Sequence, residues 1–363
     1  PQEVKIRGYK PSTRGNDQQM NKVIAAIWKA ERPLVCAGGG VILGNAEACL
    51  RQFCEKNQIP LVTTMMGIGV LPKAHPLGNN GKPYANRAVS ASDLLIIVGA
   101  RIADRAVPRP QHLEKQVNII HIDIDTAEIG KNLGPTIPLV GDAGEIFERL
   151  LEEDFSLDMD PWIRELTEIK KSTVDHRTFS SRLVNPNLLV QRLSEKMEAD
   201  AVYVADVGQN QLWSADNYVM KNGRFLTTGG MGTMGYSIPA AIGAKMCRPE
   251  AQVVAVCGDG SFQMAMNELA AVRAGGLNLK IVLFRNHTLG LVHQIQCSAP
   301  YHGPFGVALD GSPDFETIAQ AYGIPSLTVR DEDRLDGVLD QFLAAPGCGL
   351  LICEVHPDVG TND

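Results

Sequence analysis

An aspartate set between two glycines, Gly258-Asp259-Gly260, and an asparagine 27 positions later, Asn286, are the residues of this sequence best suited to hold a metal ion. Each follows an apolar run, Val253 to Val256 before the first and Lys280 to Phe284 before the second, with a helical stretch between. Such runs predict buried strands of a parallel sheet. Turns that follow parallel strands open on one carboxyl edge, so Asp259 and Asn286 are expected to face one site. A carboxylate, an amide oxygen and a nearby backbone carbonyl suit a hard divalent ion that keeps water and substrate phosphates as its other ligands. Gly258 and Gly260 let backbone approach a phosphate, and Ser261 opens a helix whose free N–H groups favour an anion. A strand-turn-helix with an acidic N-cap is the competing reading of Gly-Asp-Gly alone, and the asparagine at this spacing favours the metal.

The elements that must position these residues alternate along the chain. Residues 1–16 are polar and read as an incoming linker, with Pro11-Ser12-Thr13-Arg14-Gly15 forbidding a helix. Asn16 or Asp17 is placed to cap an amphipathic run from Met20 to Ala30. Strands are predicted at Pro33 to Ala37, Ile59 to Thr63, Leu94 to Val98 and Asn118 to Ile122, with a helix over 45–57. These make a first domain over 17–150. The charged stretch 151–185, with a helix from Pro161, reads as a connection between domains. Residues 186–363 resume the alternation: helix 187–198, strand Ala201 to Ala205, the two strands already named, helix 313–322, strand Ser326 to Val329, helix 332–344 and strand Leu350 to Val355. The fold class is therefore α/β, with two doubly wound parallel sheets.

With 363 residues, 44% hydrophobic and 21% charged, the chain has room for two full cores. A net charge of −7 argues against nucleic acid or an anionic membrane as partner. No run approaches the roughly 20 apolar residues of a membrane helix. Eight cysteines at 36, 49, 54, 247, 257, 297, 348 and 353 show no paired spacing and read as buried thiols of a reducing, cytoplasmic compartment.

Several further segments, in this order along the chain, resemble the large subunit of acetolactate synthase, a thiamine diphosphate enzyme. They are Leu71-Pro72 with Tyr84-Ala85-Asn86, His121 to Asn132, Asp206 to Gln211, Gly230 to Tyr236, and Gly258 to Met264. The resemblance covers nearly the whole chain and implies two Rossmann-like domains, the second binding thiamine diphosphate. It implies that Gln209, Asn210, Gly232, Thr233, Gly258, Asp259, Gly260, Ser261, Asn286, Gly290 and Leu291 line that cofactor. Mg2+ would be held by Asp259, Asn286 and the Thr288 carbonyl. Met234, otherwise an ordinary core methionine, would wedge between the cofactor's two rings and set its bend. In the first domain the resemblance implies FAD, without a redox role in the main reaction, at Gly38, Gly39, Met66, Gly67, Asn80, Gly99, Arg101, Asp104, Arg105, Asp123 and Asp142. Taken alone, Gly38-Gly39-Gly40 could cradle a dinucleotide phosphate but is more often a tight turn, Asp123 is equally a ribose ligand or a helix cap, and Arg101, Asp104 and Arg105 are a solvated cluster.

The reaction implied is a carboligation in branched-chain amino acid biosynthesis. Pyruvate loses carbon dioxide, and its remaining two carbons add to a second pyruvate or to 2-ketobutyrate. A homodimer or homotetramer with a regulatory small subunit is implied as well. Other readings of the same residues are a flavin-free catabolic acetolactate synthase or another 2-keto acid decarboxylase, and a nucleotide-binding module without catalysis. The sequence departs from the family pattern at Asn210 (usually His), Asn79-Asn80 (Met-His), Leu291 (Met) and Ile295 (Trp). Relatives carry a further N-terminal domain with a glutamate that protonates the aminopyrimidine ring. No glutamate here has that context, so the chain is expected to be part of a longer enzyme and inactive alone. His293 and His302 are read as surface or site-lining residues.

Overall fold

A computed structural model describes residues 12–73, 75, 77–79, 82–102, 113, 115–134, 136–172, 182–298 and 303–361. Asn80, Asp104, Arg105 and His302 lie outside the described residues. The chain divides into two compact units, Pro1–Val174 and Asp175–Asp363.

In the first unit, α1 (Asp17–Lys29) begins at Asn16, whose Oδ1 accepts the N–H groups of Gln18 at 2.9 Å and Gln19 at 3.2 Å. Of the two capping candidates, Asn16 is therefore the one used. The strands β1 (Pro33–Ala37), β2 (Leu61–Thr63), β3 (Gly78–Asn79), β4 (Leu94–Val98), β5 (Asn118–Asp123) and β6 (Ile137–Val140) form one sheet in the order β3-β2-β1-β4-β5-β6, every pair parallel. The order reverses direction between β1 and β4, which puts the ligand crevice of a doubly wound sheet at their carboxyl ends. Around it lie short α2 (Gly39–Leu43), α3 (Glu47–Asn57), α4 (Lys82–Ala91) and α5 (Ala143–Leu151). Phe53 meets Phe147 edge-on at 5.1 Å and Phe155 at 6.0 Å beneath the sheet.

The stretch 151–185, read as a connection, is divided. Helix α6 (Asp160–Ser172) packs on the first unit's core through Trp162 and Leu166, and the Trp162 indole donates to the Pro33 carbonyl at 2.9 Å. A buried indole with its N–H satisfied is an anchor rather than a linker feature.

The second unit contains α7 (Pro186–Lys196), β7 (Val202–Ala205), α8 (Gln209–Asn217), β8 (Arg224–Thr227), α9 (Ser237–Cys247), β9 (Val253–Gly258), α10 (Asp259–Ala265), α11 (Leu269–Ala274), β10 (Leu279–Arg285), α12 (Gly290–Cys297), α13 (Phe315–Ala321), β11 (Ser326–Val329), α14 (Leu335–Ala344) and β12 (Gly349–Glu354). Its sheet is also parallel throughout, in the order β11-β12-β10-β9-β7-β8. Here the winding reverses at β7 and β9. The central strands are buried on both faces: Val253 to Cys257 and Leu279 to Phe284 are all inaccessible. Each Val, Leu, Ile or Phe among them contributes about 1.5–3 kcal/mol by burial, so the strand positions are set by the strongest term available.

All eight cysteines are unpaired; Cys247 and Cys297 are exposed, contrary to the reading of every thiol as buried. Cys297, on the solvent side of α12, has His293 one turn back, at 3.8 Å. Among the described residues no helix is long and apolar enough to cross a membrane.

Candidate cofactor site in the second unit

The carboxyl ends of β7, β9 and β10 bring together the residues that the spacing singled out. Gly258 of β9 lies in register with Phe284 of β10, so the turn after β9 and the turn after β10 are neighbours. Asp259, only 2% exposed, makes the link: Oδ1 accepts the N–H of Gly260 at 2.9 Å, and Oδ2 accepts the N–H of His287 at 2.8 Å. His287 has φ of +59°, a left-handed conformation uncommon for a side-chain-bearing residue, which aims its N–H at the carboxylate. The Leu309 N–H, donating to the His287 carbonyl at 2.9 Å, and the bridge between Thr288 and Ala308 hold that turn. Burial raises the Asp259 pKa to about 6, against the opposing effect of the two N–H donors. A carboxylate so placed has a lone pair free on each oxygen and an unmet demand for positive charge.

Asn286 is buried beside it. Its Oδ1 accepts the Thr288 N–H at 3.2 Å, and its Nδ2 donates to Gln209 Oε1 at 3.1 Å. Gln209 and Asn210 open α8 after Gly208, whose φ of +130° and ψ of −161° only glycine adopts readily. The Gln209 carboxamide is spent on protein groups: Nε2 donates to Val359 O at 2.9 Å and to Gln294 Oε1 at 3.2 Å. Asn210 is different. Its Oδ1 is buried with no partner, and its amide lies against the Gly258 turn, 3.6 Å from where a side chain on Gly258 would begin. Its Nδ2 donates to the Val207 carbonyl at 3.4 Å, so the orphaned atom is an acceptor, the kind of group that a donor on a bound ligand satisfies. The Ser261 hydroxyl, by contrast, closes its own turn, accepting the Gly258 N–H at 3.0 Å and donating to Gly258 O at 3.1 Å.

Gly230 to Gly235 are fixed by a residue whose role was not read from sequence. Asp206, buried at the end of β7, accepts the N–H groups of Val207 at 2.8 Å, Gly235 at 2.9 Å and Ser237 at 2.7 Å. A lone acid ending an apolar strand was the available signal. The loop so pinned carries exposed Gly232 and Thr233 and half-buried Met234. The Met234 methyl lies 3.4 Å from where a side chain on Gly260 would start, so Met234 reaches the Gly-Asp-Gly turn. Asn in place of Asp206 keeps one acceptor oxygen for three donors. Asp206→Asn is therefore expected to cost about 1–3 kcal/mol, read as a lower unfolding midpoint of this domain. Gly290 starts α12 where a Cβ would fall 1.9 Å from Gln209 Oε1, so glycine is what lets the Gln209–Asn286 bond form. Leu291 and Ile295 follow on the same helix, Leu291 half-buried and Ile295 exposed.

In the first unit, Gly38, Gly39, Met66, Gly67, Gly99, Arg101, Asp123 and Asp142 all gather at the carboxyl edge of the sheet, but several already have structural work. A Cβ on Gly38 would lie 2.2 Å from Gly99 O, and one on Gly67 would lie 2.2 Å from Ala37 O. Their absent side chains thus serve backbone contact between turns. Asp142 caps α5 through the Glu145 N–H, and Asp123 accepts the Asp125 N–H in a local turn rather than capping a helix. Met66 and Arg101 are exposed. Thr63 Oγ1 and Glu128 Oε2 are buried without partners.

Comparison with protein families matches residues 20–150 to the central domain of thiamine pyrophosphate enzymes, and residues 206–353 to their C-terminal TPP binding domain. The chain belongs to this family. As a thiamine pyrophosphate enzyme chain it is similar to the probable acetolactate synthase large subunit of Methanocaldococcus jannaschii, 38% identical over 98% of this chain and 63% of that protein. It is similar also to the acetolactate synthase large subunit of Lactococcus lactis, 38% identical over 87% of this chain and 56% of the relative. The acetolactate synthase of Mycobacterium avium is 36% identical over 93% of this chain and 57% of its own length. The chain therefore spans less than two thirds of the length of these relatives. The two matched domains are the two units of the fold, and the C-terminal one contains the Gly258–Asn286 cluster.

Proposed function

We propose that this chain supplies the thiamine diphosphate and magnesium site of an acetolactate synthase that condenses pyruvate with a second 2-keto acid. The observation that carries the reading is the meeting of Asp259, Asn286 and Asn210, whose buried Oδ1 has no partner, at the β7/β9 switch point, within a family of thiamine pyrophosphate enzymes. In this reading Asp259, Asn286 and the Thr288 carbonyl hold Mg2+, while the Asn210 Nδ2, which lies against the Gly258 turn, is the donor toward the diphosphate. Met234, next to the Gly235 N–H that Asp206 holds, would pack against the rings of the cofactor when it is bound. When bound, the cofactor supplies the electron sink for loss of carbon dioxide. The protein's share is to fix the diphosphate, place the rings and exclude water. The first reading to be tested in the full-length enzyme is cofactor binding itself, by calorimetric titration with thiamine diphosphate and magnesium. A lack of binding would reject it.

Because burial holds Asp259 near a pKa of about 6, a proton and the cation compete for the same oxygens. The metal needs the ionised form. Magnesium affinity is expected to be flat above pH 7 and to fall about tenfold per unit below pH 6, as for one competing proton. A magnesium titration at several pH values, with thiamine diphosphate saturating, reads it directly.

For acceptor choice, the reading places Ile295 of α12 where the family pattern has tryptophan. Ile295→Trp in the full-length enzyme is expected to raise the ratio of acetohydroxybutyrate to acetolactate when pyruvate and 2-ketobutyrate compete. A pocket difference of about 1–3 kcal/mol bounds the change at roughly 10- to 200-fold. An unaltered ratio in an active variant removes Ile295 from the acceptor pocket.

The reading extends to FAD at the β1/β4 crevice of the first unit, where exposed Arg101 and the unsatisfied Thr63 and Glu128 oxygens offer groups for its ribityl and phosphate parts. The flavin absorbance spectrum of the purified full-length protein tests it. The words "large subunit" in the relatives' names support a small regulatory subunit as partner, and co-purification with such a subunit is the corresponding measurement.

A further inference from the structure

A cation takes the oxygen of an asparagine side chain, not its NH2 group, so a metal-binding Asn must be held the right way round. In this protein the orientation can be traced residue by residue. Asn286 Nδ2 donates to Gln209 Oε1 at 3.1 Å, which turns Asn286 Oδ1 away from Gln209 and toward the Thr288 N–H. Gln209 keeps Oε1 facing Asn286 because its own Nε2 faces the Val359 carbonyl at 2.9 Å, a group that can only accept. The same Nε2 reaches Gln294 Oε1 at 3.2 Å, and that oxygen also accepts the Thr361 N–H at 3.1 Å and its hydroxyl at 3.2 Å. Trp213 of α8 donates its indole N–H to Gly360 O at 3.1 Å, fixing the strip from a second side. Val359, Gly360 and Thr361 are all buried.

We propose that the strip Val359–Thr361 is a clasp which orients Asn286 as a metal ligand, acting through Gln209 and Gln294. The inference rests on Asn286 being a magnesium ligand. Gln209 and Gln294 are positioning residues. Backbone carbonyls and N–H groups cannot flip, so the polarity of the strip passes through two carboxamides to a third. If Gln209 inverts, its NH2 faces the Asn286 NH2, and Asn286 must turn over or lose its bond. Gly290 is part of the device, since any side chain there would occupy the path of the Gln209–Asn286 bond.

Five variants of the full-length enzyme test this, with magnesium affinity read calorimetrically at saturating thiamine diphosphate. Asn286→Leu is the control for the metal reading. Gln209→Leu removes the relay, and a chain that stops at Asp358 removes the clasp. Gln294→Glu keeps the acceptor that Gln209 and Thr361 use. Residues that orient metal ligands typically contribute 10- to 100-fold in affinity. Gln209→Leu and the shortened chain are each expected to weaken magnesium binding about 10- to 100-fold, while Gln294→Glu binds nearly as the parent does and Gln294→Leu weakens with the others. A general packing role would lower the unfolding midpoint in all of them without separating Gln294→Glu from Gln294→Leu, and that result overturns the proposal. So does unchanged magnesium affinity in Gln209→Leu and the shortened chain while Asn286→Leu loses it. If Asn286→Leu itself binds magnesium as the parent does, the metal reading fails first and the clasp falls with it. Gln294 is half-buried on α12, so its two variants give the answer even if Gln209→Leu does not fold.

Discussion

Alanine in place of Asp259 is expected to weaken magnesium and thiamine diphosphate binding together, by more than the 10- to 100-fold seen for residues one step behind a metal ligand. In the proposed reading the two losses are coupled, because Asp259 would hold the ion that the diphosphate needs. Without the carboxylate, the cation has only amide and carbonyl oxygens from the protein. The variant should still fold. Asp259 is a buried acid whose charge costs free energy, since burial raises its pKa, and alanine removes that cost along with the acceptors of two N–H groups. Paired titrations of cation and cofactor, with the unfolding midpoint as control, check the result. Loss of one affinity without the other would separate the ion from the diphosphate.

The second large effect belongs to the first unit. Gly38→Ala would set a Cβ 2.2 Å from Gly99 O and 2.6 Å from Ala100 Cβ, where backbone and a buried methyl leave nothing flexible to give way. Gly38 joins β1 to α2, and its N–H already donates to Val98 O at 2.8 Å. The two turns at the β1/β4 switch point would have to separate. Overpacking of a rigid site costs about 1–3 kcal/mol and occasionally more. The upper end of that range, about 3 kcal/mol, is expected here, or roughly 6–12 °C in the midpoint of a domain this size. Differential scanning calorimetry reads it. Gly232→Ala is the comparison: its Cβ would meet nothing within 4 Å, though its φ of +66° leaves a smaller backbone cost.

Much of this was legible because the central strands are apolar on both faces. Leu94–Val98, Val253–Gly258 and Leu279–Arg285 read as buried parallel strands since no other element explains such runs. The Asp259 and Asn286 positions followed from the strand ends. What escaped were three of the four edge strands, Ser326–Val329 being the edge that was read. Gly78–Asn79, Ile137–Val140 and Arg224–Thr227 are two to four residues long, and Pro138 in the second is a residue that sheets tolerate at an edge. They carry too little pattern to be found by periodicity. Hydrogen-bond polarity was hidden for a different reason. Nothing in the letters Gln209 or Ser261 says whether the side chain faces a ligand or its own backbone. That depends on groups such as Val359 O, 150 positions away. Gly38 and Gly67 entered as flavin contacts through the resemblance, whereas the atoms nearest to them are carbonyls of neighbouring turns.

The most direct test of the central claim is thiamine diphosphate binding to the full-length protein with magnesium saturating and then with the cation removed by a chelator, for the parent and for a variant carrying Asp259→Ala and Asn286→Leu. Tight binding only by the parent, and only with magnesium, is the predicted result. Equal binding by parent and double variant, or binding by the parent that ignores the chelator, would contradict a cation held at Asp259 and Asn286.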